Sequence, residues 1–243
     1  MNDLHCHLPF ALSDGPATRE DSEAMLRQAA ESGVSYINAT VHFGDCRSEL
    51  EDTVEALRPA ANALGITLHP GFEYNFSDLE NQTDYLTIGP ESSYILVDFN
   101  TVTVPYSARM RFFELAKKGI QIIAVHPEVL FESGACHDLR KLRDMDVVFQ
   151  LNATSFTAET PKNIRRNAER LMQAGLVQLI SSDAHRPTGS RRLALTEARQ
   201  TITAHYGAEI ARLLFEVNPE RLLKNQDPLE VPRPARSWWK KFF

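Results

Sequence analysis

Ser107-Ala-Arg-Met-Arg-Phe-Phe-Glu-Leu-Ala-Lys-Lys-Gly119-Ile120-Gln-Ile-Ile-Ala-Val-His126 is the stretch that decides the fold. Its first part, to Lys118, reads as a helix. Gly119 stops it, because glycine takes the left-handed conformation that ends a helix without strain. A short apolar run follows, the mark of a buried strand, and His126 closes it with a polar side chain. The same unit recurs on both sides. Upstream, residues 1–7 form a first strand. Thr18 caps a helix with Arg19-Glu20-Asp21 in its first turn, which runs to Gly33 and a strand over 34–40. A helix over 48–64 ends at Gly65, with Pro59 expected to kink or divide it. Residues 66–68 then lead into Gly71-Phe72-Glu73, and after a polar loop comes a strand over 94–99. Downstream, a helix over 137–143 precedes a strand over 147–152. Pro161 opens a helix that closes at Gly175, and residues 176–183 form a last strand before helical sequence to about Val217. Seven strands, nearly all followed by helices, imply parallel pairing with right-handed crossovers, hence a doubly wound α/β sheet or a closed barrel.

Composition excludes several classes. The 243 residues are 43% hydrophobic and 24% charged, as in a soluble globular chain with a sizeable core. A net charge of -6 argues against a nucleic-acid binder, which carries a basic face. The start MNDLHCHLPF lacks the basic and apolar regions of a signal peptide, and no run reaches the ~18 apolar residues of a spanning helix. Three widely spaced cysteines, Cys6, Cys46 and Cys136, make neither a disulfide framework nor a CxxC site, so a reduced cytoplasmic protein is expected. No interdomain linker is visible. The compositional break lies near Asp227, where a tail with Pro228, Pro232 and Pro234 begins. The chain therefore divides into 1–226 and a basic, aromatic tail over 227–243.

In β/α folds the chemistry gathers at the C-terminal ends of the strands. His5 and His7 close the first strand, and the period of two sets them on one face with Cys6 on the other. Asp14 lies in the following loop. His42 follows the second strand, Glu73 the third, Asp98 the fourth and His126 the fifth. Asp183 and His185 end the seventh with the same spacing as His5 and His7. Nine metal-competent side chains thus map to one rim. One Zn²⁺ takes about four ligands, so nine point to more than one ion. Mixed imidazoles and carboxylates suit Mn²⁺, Fe or Zn²⁺, and clustered ions of this kind lower the pKa of a bridging water and neutralise phosphate oxygens. Cysteine-based phosphatase chemistry is excluded. It needs arginine six positions after the nucleophile, where this chain has Leu12, Asp52 and Leu142. No GxSxG elbow, P-loop or HExxH helix is present either.

DLHCH at 3–7, SDGPAT at 13–18, TVH at 40–42, GFEY at 71–74, LVDF at 96–99, AVHPE at 124–128, SSDAH at 181–185 and NPERLL at 218–223 carry a resemblance. Over roughly residues 1–225 the chain resembles the polymerase and histidinol phosphatase (PHP) family of metal-dependent phosphoesterases. Within it, the chain is most similar to bacterial tyrosine phosphatases of capsular and exopolysaccharide operons. The resemblance implies a distorted, TIM-like (β/α)7 barrel with three divalent metal ions, manganese first. His5, His7, Glu73 and Asp183 would surround one ion, with Glu73 bridging to a second held by Asp98 and His126. Asp14, His42 and His185 would hold the third. The implied substrate is a phosphotyrosine protein, a bacterial tyrosine autokinase. The alternatives are a small-molecule phosphatase of the histidinol phosphate or nucleotide type, and a metal-binding regulatory protein with weak turnover.

The chain departs from the family pattern in three places. Relatives often carry glutamate at the position of Asp98. They commonly carry arginine where Val129 stands, and another basic residue or histidine after His42, where this chain has Phe43-Gly44-Asp45. Phosphate-binding charge is therefore expected from the last loop, from Arg186, Arg191 or Arg192. The tail places both tryptophans beside basic residues, a composition suited to docking on an anionic membrane surface or a partner, or to folding back over the barrel.

Overall fold

The computed structural model describes residues 1–80, 82–101, 103–130 and 136–233. Seven strands, β1 (Asn2–Cys6), β2 (Tyr36–His42), β3 (Thr67–Asn75), β4 (Tyr94–Asp98), β5 (Gln121–Val125), β6 (Val148–Asn152) and β7 (Leu179–Ser181), pair in parallel in sequence order. The ends of this sheet meet. The Asp183 amide donates to the His5 carbonyl and the His7 amide to the Ala184 carbonyl, both at 2.8 Å. The architecture is therefore a nearly closed barrel, the (β/α)7 form, and not an open doubly wound sheet.

The helices outside are α1 (Arg19–Glu31), α2 (Arg47–Ala63), α3 (Ala108–Lys117), α4 (Pro127–Leu130), α5 (Cys136–Arg143), α6 (Lys162–Gln173), α7 (Leu195–Tyr206), α8 (Ala208–Arg212) and α9 (Asn218–Leu223). Thr18 caps α1 as its sequence implies, its hydroxyl accepting the Asp21 amide at 3.2 Å. The expected division of α2 at Pro59 does not occur. Pro59 and Glu55, whose carbonyl the missing N–H would have served, are both exposed, so water satisfies it. The expected run of helix to Val217 is broken at Gly207, where φ is 98°, and passes through a π turn over Leu213–Val217. Pro161 precedes the first residue of α6 instead of occupying it.

Inside the barrel two layers are stacked. Leu4, Tyr94, Leu96, Ile123, Val125, Val148 and Leu179 form an apolar lower layer, closed from below by Leu222 of α9. The next inward residues along the strands, His5, Glu73, Asp98, Gln150, Asn152 and Asp183, are polar. Leu4 and His5 are sequence neighbours, yet the first belongs to the lower layer and the second to the site. A bulge makes this possible: Asp3 pairs with Ile37 and Cys6 with Ala39, so Leu4 and His5 together oppose Asn38. The buried Asn38 amide donates to the Leu4 carbonyl at 3.1 Å. Gly71 on β3 leaves the room, since a Cβ there would lie 2.8 Å from Asn38 Cγ.

Of the tail, residues 227–233 return along the barrel. Asn218 clasps Leu229 through two bonds of 2.8 and 2.9 Å, Glu230 pairs with Arg143, and Val231 is buried. Residues 234–243, with both tryptophans, lie outside the described residues. Among the described residues no helix is long and apolar enough to cross a membrane.

Candidate metal centre

The strand ends bring the nine side chains to one mouth of the barrel, and eight of them fall into three adjoining groups. His5, His7 and Asp183 form one, His5, Glu73 and His126 a second, and His7, Asp14, His42 and His185 a third. Glu73, buried at the end of β3, sits between them. Its Oε1 lies 2.8 Å from His126 Nε2, while Oε2 lies 3.2 Å from His7 Nε2, 3.2 Å from His42 Nδ1 and 3.5 Å from His5 Nε2. Asp14 reaches from the loop after β1 to within 3.4 Å of His42 Nε2 and 3.2 Å of His185 Nε2. His7 and His185 stack, with ring centroids 3.8 Å apart. His126 and Asp183 both have left-handed backbones, φ 36° and 50°, which costs about 1–3 kcal/mol each and turns strand-end residues into the mouth.

The electrostatics follow from burying so many charges together. Burial depresses His7 to about 4, so it is neutral at pH 7 and offers lone pairs. Burial also disfavours protonation of His5 and His126, but the carboxylates outweigh it. His5 is raised by Glu73 and Asp183, and His126 is raised to about 10 by the Glu73 carboxylate bonded to it. Conversely, the imidazoles hold Glu73 and Asp183 below the usual carboxylate range despite their burial. His185, His42 and Arg191 do the same for Asp14.

A divalent cation fits these residues. His7 Nδ1 and Asp14 Oδ1 are buried 3.6 Å apart with no hydrogen-bond partner. His5 Nε2 and His7 Nε2 face each other at 3.0 Å, two imidazole nitrogens aimed at the same point. Lone pairs and carboxylate oxygens converging in this way, at a mouth holding four carboxylates, are the donor set of a hard or borderline metal.

Asp98 joins none of the three groups. Its Oδ1 accepts the Asn100 amide at 2.8 Å, and burial raises its pKa. It nevertheless lies two residues beyond Leu96 on β4, and so on the inward side of the strand. Among the three arginines, Arg191 alone reaches the cluster. It donates to Asp14 Oδ2 at 2.6 Å and contacts His185 Nε2. Arg186 is directed at the carbonyls of Asp14, Gly15 and His185, and Arg192 pairs with Glu159 and Glu197. Cys6 is buried with its thiol pushed well up by burial, and is inert.

Sequence reasoning passed over Gln150, Asn152 and Glu128. Gln150 accepts from His5 Nδ1 at 3.1 Å and Asn152 donates to Asp183 Oδ2 at 2.6 Å. Glu128 is fully buried, raised to about 7 by burial, and accepts the Asn152 amide and the Ser155 hydroxyl. The signal for the first two was their placement: inward positions at the end of a strand, polar where the alternation calls for contact with the site.

Comparison with known proteins finds relatives that span the whole barrel. The family described as "Capsular polysaccharide synthesis, CpsB/CapC" matches residues 1–224. Tyrosine-protein phosphatase YwqE of Bacillus subtilis is 30% identical, covering 97% of each chain. Tyrosine-protein phosphatase CpsB of Streptococcus pneumoniae is 26% identical over 93% of this chain and 99% of its own. A solved structure from the set of YwqE and CpsB, unique metal-dependent tyrosine phosphatases, superposes with a TM-score of 0.78. It shares 25% identity and covers 98% of this chain and all of the other.

Proposed function

The chain belongs to the CpsB/CapC family of capsular polysaccharide synthesis, and from that premise we propose that it is a metal-dependent protein-tyrosine phosphatase. The observation that carries the reading is the sharing of donors: His5, His7 and Glu73 each face more than one neighbouring group, as ligands of closely spaced ions must. His5, His7, Glu73 and Asp183 would hold one ion. Glu73, His126 and Asp98 would hold a second, and Asp14, His42 and His185 a third. Manganese suits this mixture of imidazole and carboxylate, with iron or zinc next. Such ions supply a water of lowered pKa and positive charge against the phosphoryl oxygens.

The protein's own part is orientation. The buried carboxylates fix the donors, and Arg191, held at the open edge by Asp14 and His185, would turn its planar fork to a phosphoryl oxygen once those two hold an ion. The ester P–O bond breaks, water supplies the new oxygen on phosphorus, and the tyrosine hydroxyl is regenerated. The substrate is a phosphotyrosine protein of polysaccharide export, a tyrosine autokinase, met in the cytoplasm. Residues 227–233 pack back on the barrel, and the remainder of the tail, with its tryptophans and basic residues, docks the protein at a membrane surface or a partner. Vesicle binding that survives removal of residues 228–243 would remove the membrane role.

Substrate class is tested with a phosphotyrosyl peptide against histidinol phosphate and nucleoside monophosphates, each with Mn²⁺. The expected result is a higher kcat/KM for the peptide. Preference for a small phosphomonoester would replace the substrate, and no turnover of any of them would leave a metal-binding regulator.

A further inference from the structure

β6 is the strand of the barrel whose end carries no residue of the metal type, yet its two inward polar side chains are both engaged with the site. Asn152 donates from Nδ2 to Asp183 Oδ2 at 2.6 Å. Its Oδ1 accepts from Gln150 Nε2 at 3.0 Å, and Gln150 Oε1 lies 3.1 Å from His5 Nδ1. Gln150 and His5 are wholly buried and Asn152 nearly so, which leaves no water to offer alternatives.

These four side chains admit a single polarity. An ionised Asp183 only accepts, so the Asn152 NH₂ must face it and its carbonyl oxygen must face Gln150. The Gln150 NH₂ then faces Asn152, its oxygen faces His5, and His5 Nδ1 must carry a proton. The lone pair of a neutral His5 is thereby confined to Nε2, the atom that faces His7, Glu73 and Asp183. At the other end, Asn152 occupies Asp183 Oδ2 and leaves Oδ1 directed at His5 and His7. Glu128 anchors the strand end by accepting the Asn152 backbone amide at 2.7 Å.

We propose that Gln150 and Asn152 are positioning residues for the metal centre: a relay of amide dipoles that sets the His5 tautomer from the Asp183 carboxylate, 178 residues away in the chain. The relay orients two ligands of the first ion, and so rests on the metal-centre reading. Outer partners of this kind, when removed, lower metal affinity by roughly 10- to 100-fold.

The test separates the relay from the metal. In metal-free protein at alkaline pH, where His5 is neutral, long-range ¹H–¹⁵N correlation reads its tautomer, with His5→Asn giving the assignment. The relay requires Nδ1–H in the wild type and a shift toward Nε2–H in Gln150→Leu. Calorimetric titration with Mn²⁺ should show a roughly 10- to 100-fold weaker tightest site in Gln150→Leu and in Asn152→Ala. Asn152→Ala, at the mouth, carries the test should Gln150→Leu fail to fold. Nε2–H in the wild type, or unchanged Mn²⁺ affinity in a folded variant, overturns the relay. Failure of the wild type itself to bind Mn²⁺ overturns the metal centre instead, and leaves the tautomer result standing.

Discussion

At the scale of single residues, the centre depends on side chains whose alternatives have been removed. His7 is neutral because it is buried, and Glu73 stays ionised because four imidazoles surround it. Arg191 differs in being exposed at the edge, which suits it to a phosphoryl group. Arg191→Ala is expected to lower kcat by roughly 100- to 1,000-fold, the cost of losing one donor to developing charge, with the two Mn²⁺ sites built on Glu73 still filled. Arg191→Lys should recover little, since a point charge does not reproduce the fork. Steady-state kinetics with metal analysis of the same samples checks both. Asp98 gives a prediction of opposite sign. Its short arm is bonded to the Asn100 amide and stands outside the three groups. Asp98→Glu adds one methylene toward His126 and should tighten the second Mn²⁺ site, measured by calorimetric titration. Weaker binding would remove Asp98 from the ligand set.

At the scale of elements, the bulge in β1 is what allows one strand to serve both barrel layers. Asn38 holds it through the Leu4 carbonyl, and Gly71 gives Asn38 its space. Gly71→Ala forces the buried amide away from that carbonyl. The expected destabilisation is about 1–3 kcal/mol, as for other overpacked cores, read from denaturant unfolding. Because His5 follows Leu4, the same change should weaken Mn²⁺ binding, whereas Gly119→Ala, at the end of α3 where φ is 80°, should cost stability alone. Equal metal affinity in Gly71→Ala and wild type would separate the bulge from the site.

For the whole molecule, the barrel and most of its mouth were legible in the sequence for a physical reason. Parallel strands buried on both faces leave apolar runs, glycines mark the helix ends, and strand ends place chemistry on one rim. What could not be read depends on contacts between strands distant in the chain. The bulge is set by Asn38 and Gly71 on two other strands. The Gln150–Asn152 relay needs His5 and Asp183 beside it, and the orientation of three neighbouring arginines depends on which carboxylates the loops bring near. Pro59 does not divide α2 because the helix presents it, and the carbonyl of Glu55 that it leaves unpaired, to water.

Ion binding should also appear as stability of the whole fold. At a free Mn²⁺ of 100 times Kd, each site adds about 2.7 kcal/mol, and roughly 2–4 °C in Tm follows for each kcal/mol in a chain of this size. Thermal unfolding with Mn²⁺ and with chelator measures it, and coincident curves would argue against ions at the mouth.

If clustered divalent ions at this mouth hydrolyse phosphotyrosine, activity must follow their occupancy. The decisive measurement strips the protein with chelator and restores Mn²⁺ stepwise while following release of phosphate from a phosphotyrosyl peptide. No hydrolysis is expected in chelator, with activity returning as the Mn²⁺ sites fill and not returning in Asp183→Ala. Hydrolysis that persists under full chelation, or that returns undiminished in Asp183→Ala, would contradict that dependence.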